Sequence, residues 1–93
     1  MIRSFRHRGL RRLFETGDTR GVPPHLARKL VNVLSFLSAA ASPEEAAPLP
    51  GLRLHRLKGE LSGMWSITIS GNWRVTFRFE RGDAHDVDFL DYH

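Results

Sequence analysis

The sequence predicts an α+β domain, two N-terminal helices packed on a mainly antiparallel sheet of four or five strands. Three patterns predict it. Residues 64–79, MWSITISGNWRVTFRF, alternate apolar and polar side chains on either side of Gly71-Asn72. Period-two alternation buries one face of a strand and wets the other. Residues 84–93 continue the pattern after the turn signal Arg81-Gly82-Asp83. Upstream, two stretches repeat apolar residues at three- and four-residue spacing, the period of an amphipathic helix.

Taken in order, residues 1–5 (MIRSF) form a short edge strand returning to the sheet, and residues 7–16 a helix with Leu10, Leu13 and Phe14 on one stripe. Gly17-Asp18 ends that helix, and Gly21-Val22-Pro23-Pro24 breaks the chain before the next. From Pro24 to about Ala40, Leu26, Leu30, Val33, Leu34 and Leu37 make a second helix covering one sheet face. Residues 39–51, rich in Ala and Pro, form a loop with one helical turn capped by Ser42 and closed by Pro48 and Pro50. Residues 52–57 (LRLHRL) are a short strand ended by Lys58-Gly59.

Parity then sets the hairpin. For both apolar sets to share a face, Ile69 opposes Trp73 and Ser70-Gly71-Asn72 is the loop. Placing Phe79 opposite Val87 pairs Phe77 with Phe89, Arg78 with Asp88, Thr76 with Leu90 and Arg74 with Tyr92. The polar face gathers Ser66, Thr68, Arg74, Thr76, Arg78, Asp88 and Tyr92 beside His93.

Ninety-three residues with 41% hydrophobic content make one domain near the small end of what a single core supports. The chain has no cysteine, so neither a disulfide framework nor a cysteine-built zinc site is available. No apolar run approaches the roughly 18–20 residues of a membrane span, and nothing resembles a signal peptide. A soluble, cytoplasmic protein without membrane attachment is expected. The net charge is +4, and arginine dominates the basic residues. Its planar fork suits bidentate phosphate contact. Arg3, Arg6, Arg8, Arg11 and Arg12, followed by Arg53, Arg56 and Arg78, are candidates for contact with a polyanion such as RNA. A solvated helix face explains the first group equally well.

Of five histidines, His7, His25 and His85 read as exposed surface residues, whereas His55 precedes the hairpin and His93 closes the chain. His55, Lys58, Arg74, Tyr92 and His93 together supply imidazoles, cations and a phenol. Histidine serves as general acid or base near neutrality, and cations stabilise a phosphorane-like charge. That set suits metal-independent RNA cleavage by the substrate's own 2′-hydroxyl, with no cofactor.

The segments Leu54-His55-Arg56-Leu57-Lys58-Gly59, Gly63-Met64-Trp65-Ser66-Ile67, Asn72-Trp73-Arg74-Val75-Thr76-Phe77 and Asp91-Tyr92-His93 resemble the HigB toxins of the RelE/ParE superfamily. The opening Met1-Ile2-Arg3-Ser4-Phe5 fits as well, so the resemblance spans essentially the whole chain. The chain departs from the family pattern in having Gly71-Asn72 before Trp73-Arg74 and a lone Glu60 before Leu61. The resemblance implies a ribosome-dependent mRNA endonuclease of a type II toxin–antitoxin system, acting in the A site. It also implies a helix-turn-helix antitoxin (HigA-like) as partner, a monomeric toxin when alone and a hetero-oligomer with the antitoxin. Its functional positions fall on His55, Lys58, Arg74, Asp91, Tyr92 and His93. Two rival expectations are a ParE-like inhibitor of DNA gyrase and a non-catalytic basic module that binds nucleic acid.

Overall fold

The computed structural model describes residues 1–48, 51–59 and 63–91. Its elements run α1 (Arg8–Thr16), α2 (Ala27–Ala39), β1 (Leu54–Arg56), β2 (Met64–Ser70), β3 (Trp73–Glu80) and β4 (Asp83–Asp91). Short 3-10 turns occupy Pro24–Leu26 and Pro43–Ala46. The four strands lie side by side in sequence order, each antiparallel to the next. Two helices on one antiparallel sheet is the α+β arrangement the periodicity predicts.

The N-terminal segment meets the sheet by two isolated parallel bridges, Ile2 to Ala84 and Phe5 to Val87. The Arg3 N–H donates to the Ala84 carbonyl at 2.8 Å, and the Val87 N–H to the Ser4 carbonyl at 3.0 Å. The segment thereby covers the outer edge of β4, which would otherwise present unpaired backbone groups.

His7 opens α1. Its backbone is extended and its Nδ1 accepts the Leu10 N–H at 2.9 Å, a helix cap built from an imidazole. Its ring also meets Phe89 edge-on at 5.7 Å. The expectation of an exposed His7 is therefore corrected: the residue is half-buried and structural. Leu10 and Leu13 enter the core as expected, but Phe14 stays 37% exposed, packed on Phe5 with ring centroids 5.8 Å apart.

On α2, Leu30, Val33, Leu34 and Leu37 are buried, with Leu26 just before it. They face Ile67, Ile69, Val75, Phe77, Val87 and Phe89, all buried. Trp65 and Trp73 pack at the rim of this cluster, Trp73 stacked on Phe89 at 4.5 Å. Ser42 stands at the start of its 3-10 turn, but its side chain caps nothing. Glu45 accepts the Ala41 N–H there instead.

The strand parity holds, and the turns differ. Ile67 opposes Val75 as expected, yet Ser70 opposes Trp73, leaving only Gly71-Asn72 as the loop. An extra residue at Ile69 reconciles a two-residue turn with a one-sided core, because a bulge shifts register by one. The carbonyl of Ile69 receives the Lys29 ammonium from α2. Between β3 and β4, Val75 opposes Phe89 and Arg74 opposes Leu90, two residues from the expected pairing with Tyr92. The turn, where Arg81 and Gly82 both take positive φ (53° and 80°), brings Glu80 opposite Asp83 and Arg78 opposite His85, three residues from the expected Asp88, and an extra residue at Asp86 gives one back. Two such residues match the twist of the flanking strands and make the shortest hairpin loop. The expectations for Pro50, Glu60, Leu61, Tyr92 and His93 fall outside the described residues.

Candidate active site

The sheet face turned away from the helices carries two of the candidate residues, His55 and Arg74. In one row His55 opposes Ser66, Ser66 opposes Thr76, and Thr76 opposes Asp88, so the row crosses all four strands. Ser66 and Thr76 are buried and form its floor. In the next row Thr68 opposes Arg74 and Arg74 opposes Leu90. His55 is exposed on the outer strand, and Lys58 is exposed just beyond it. Sheet spacings put the Cα atoms of His55 and Arg74 about 12 Å apart, two strands across and two residues along. The pair thus flanks a strip of surface and does not touch.

Arg74 is half-buried. Its guanidinium donates to the carbonyls of Gly71 at 2.6 Å and Trp73 at 3.1 Å. The expectation of an unpartnered Arg74 is corrected to that extent. Its described partners are carbonyls of its own turn, so its charge stays uncompensated while its stem is held in place. Arg78 differs: it pairs with Glu80 and, at 3.3 Å, with Asp86. The Arg78 guanidinium holds the Glu80 carboxyl below the usual carboxylate range. Asp88, expected beside Arg78, opposes Thr76 and accepts the Phe89 N–H at 2.9 Å.

Asp91 ends β4 opposite Trp73. Strand parity puts it with Phe89 toward the helix side, not beside His55 and Arg74. Tyr92 and His93 lie outside the described residues.

The candidate RNA-contacting arginines divide. Arg3 pairs with Asp83 at 2.9 Å and Arg11 with Glu15 at 3.1 Å. Arg56 lies over the Trp65 ring, 5.7 Å from its centroid. Arg6, Arg8, Arg12 and Arg53 are exposed and form no salt bridge among the described residues, though the charge of Arg12 acts on the Asp18 carboxyl. Arg8, Arg11 and Arg12 sit on α1, in the layer behind the sheet, whereas His55 and Arg74 lie on its front. One flat substrate cannot touch both groups. Grooves also lie behind, one between α1 and the N-terminal segment and another along Leu13, Pro24, Ala27 and Val31. His55 and Arg74 lie on the open face instead.

The profile of the family described as RelE-like toxin of type II toxin–antitoxin system HigB matches residues 3–93. The chain belongs to this HigB family. It is 44% identical over 95 residues to "Endoribonuclease HigB" of Proteus vulgaris, with the whole of both chains covered. It is 29% identical over 94 residues to "Toxin HigB-1" of Vibrio cholerae serotype O1 (strain ATCC 39315 / El Tor Inaba N16961), covering all of this chain and 98% of the relative. A HigB toxin of a type II system has an antitoxin as its partner. No helix among the described residues is long and apolar enough to cross a membrane.

Two supports of this HigB face escaped the sequence reading. Lys29 lies on the polar side of α2 with no sign that it would reach a carbonyl of the sheet. Asp86 takes a left-handed conformation within β4. The spacing of Ala84, Val87 and Phe89, three residues and then two, carried the signal of the second.

Proposed function

We propose that this toxin is an endoribonuclease that cuts mRNA in the ribosomal A site and binds the RNA along the open face of its sheet. The observation that carries this reading is the pairing of His55 and Arg74 on one face of a HigB-family sheet, flanking a hydroxyl floor. In the reaction the 2′-oxygen of the substrate attacks the adjacent phosphorus and loses its proton to a base. The bond from phosphorus to the 5′-oxygen breaks as that oxygen takes up a proton. The products are a 2′,3′-cyclic phosphate and a 5′-hydroxyl, so neither water nor a metal enters the balance.

Arg74 and Lys58 stabilise the charge on the phosphoryl oxygens, which grows toward the transition state. His55 and His93 carry the two protons, Tyr92 stacks on a nucleotide, and Asp91 orients a neighbour. The arginines of α1 face the other way and contact ribosomal RNA, so the ribosome holds the toxin from behind while the message crosses its front. A helix-turn-helix antitoxin of the HigA type holds the cytoplasmic toxin inactive.

The test is incubation of the purified toxin with ribosomes carrying a message paused at a defined codon. Cleavage within the A-site codon, a 5′-hydroxyl on the downstream fragment and no cutting of the same RNA without ribosomes are expected. Chelation of free zinc and other transition metals, at a magnesium level that keeps the ribosomes intact, should leave the rate unchanged. An uncut message, or activity restored only by added zinc, overturns the reading. DNA damage without message cleavage would turn it toward gyrase.

A further inference from the structure

Residue Asp86 stands inside β4 with φ +54°, a left-handed conformation that a non-glycine residue adopts only where its surroundings hold it there. It sits at a break in the ladder. Thr76 opposes Asp88, whereas Arg78, two residues along β3, opposes His85, three residues along β4. The extra residue makes a bulge. Remove it, and every side chain from Val87 onward turns to the other face. Asp88 and Leu90 would point into the helices, and Val87 and Phe89 would lie on the open face. The hydrophobic core requires the bulge, and three contacts hold it at Asp86. The Asp86 N–H donates to Ser4 Oγ at 2.8 Å. Oδ2 of Asp86 accepts from Arg78 Nε at 3.4 Å and from Nη2 at 3.3 Å. The next N–H, of Val87, is taken by the Ser4 carbonyl at 3.0 Å. The bulge therefore joins the N-terminal segment, β3 and β4 just before the stretch that carries Asp88, Leu90 and Asp91.

We infer that Asp86 is a positioning residue for RNA cleavage: clamped by Arg78 and Ser4, its left-handed bulge sets the register and twist by which the end of β4 meets the substrate. This rests on the endonuclease reading above. Bulges recur beside active sites because they re-aim side chains without altering the rest of the sheet. The clamp also gives Arg78 a task other than binding RNA, in keeping with its two carboxylate partners.

The experiment compares Asp86→Gly with Asp86→Asn. Glycine adopts positive φ without strain, so the fold should persist, but the Arg78 contact is lost. Asparagine tolerates the same backbone conformation and keeps an acceptor for Arg78. Misplacing reacting groups by an ångström can cost about a hundredfold in rate. Asp86→Gly should therefore lower kcat on ribosome-bound message at least about tenfold, with KM and Tm near wild type. Asp86→Asn should keep most of the rate. Amide exchange at Asp88 and Leu90 should quicken in Asp86→Gly while Ile67 and Val75 stay protected, a readout independent of activity. Wild-type cleavage by Asp86→Gly, equal losses in the two variants, or unchanged exchange at Asp88 overturns the proposal. If the wild-type toxin itself leaves the message uncut, the endonuclease reading falls, and the exchange comparison still decides whether Asp86 holds the register.

Discussion

Arg74 and Arg78 lie four residues apart on one strand, but their surroundings separate them. Arg78 is neutralised by Glu80 and Asp86. Arg74 meets only the carbonyls of Gly71 and Trp73 among its described partners, which orient it without cancelling its charge. A guanidinium held in place and left charged suits a phosphate. Arg74→Ala should fold, bind antitoxin and cut ribosome-bound message at least about 100-fold more slowly in single turnover. The two lost hydrogen bonds should cost about 0.5–1.5 kcal/mol each at most, visible as a small drop in Tm. Arg74→Lys should recover only part of the rate, because an ammonium lacks the fork. A wild-type rate for Arg74→Ala would make it a turn-stabilising residue and no more.

Helix α1 is tied down by backbone as much as by Leu10 and Leu13. A Cβ placed on Gly9 would stand 2.3 Å from the Gly21 carbonyl oxygen, and one on Gly21 2.5 Å from the Gly9 Cα. The two backbones touch, so neither position has room for a methyl group. In an exposed helix Gly9→Ala would stabilise by about 1 kcal/mol. Here the clash reverses the sign, and a net loss of about 1–3 kcal/mol is expected. Thermal melting checks it: Tm should fall by several degrees, and a rise would mean the helix moves away freely. In the sheet, Phe77 is wholly buried, as the alternation predicts. Phe77→Ala should cost about 3–5 kcal/mol by chemical denaturation, whereas the same change at the exposed Phe14 should cost much less.

At the scale of the molecule, a carboxylate of β4 ties down the N-terminal segment, and two others pair locally. Arg3 donates to Asp83, aided by the N-terminal ammonium, and lowers the Asp83 carboxyl below its ordinary value. Arg78 does the same to Glu80. Arg20 holds Asp18 down at about 2. A carboxyl depressed in the folded state stabilises above its unfolded value, near 4, and loses that contribution as pH falls through its folded value. Stability should hold from neutrality to about pH 5 and then decline toward pH 2. Because Asp83 holds the N-terminal segment against β4, amide exchange at Ala84 and Val87 should quicken before the core opens. Uniform stability down to pH 2 would show that these pairs contribute nothing.

The sequence by itself determined the α+β class, the two helices, the hairpin and the identity of its buried side, because side-chain parity and helical spacing are local properties of the chain. It also nominated His55, Lys58 and Arg74 as candidates, through their residue types and the motifs that resemble the HigB family. Tertiary structure decided the rest. The Ile69 bulge depends on an ammonium from α2, and the Asp86 bulge on Ser4 and Arg78, all distant or irregular partners that no periodicity encodes. The register of β4 turned on whether Arg81 would accept a left-handed backbone, a choice worth about 1–2 kcal/mol that strand twist outweighs. Three residues of slip followed from it and the Asp86 bulge gave one back, moving Arg74 from Tyr92 to Leu90. Packing likewise divided the arginines between two sides of the molecule, since a list of charges has no faces until the helices lie on the sheet.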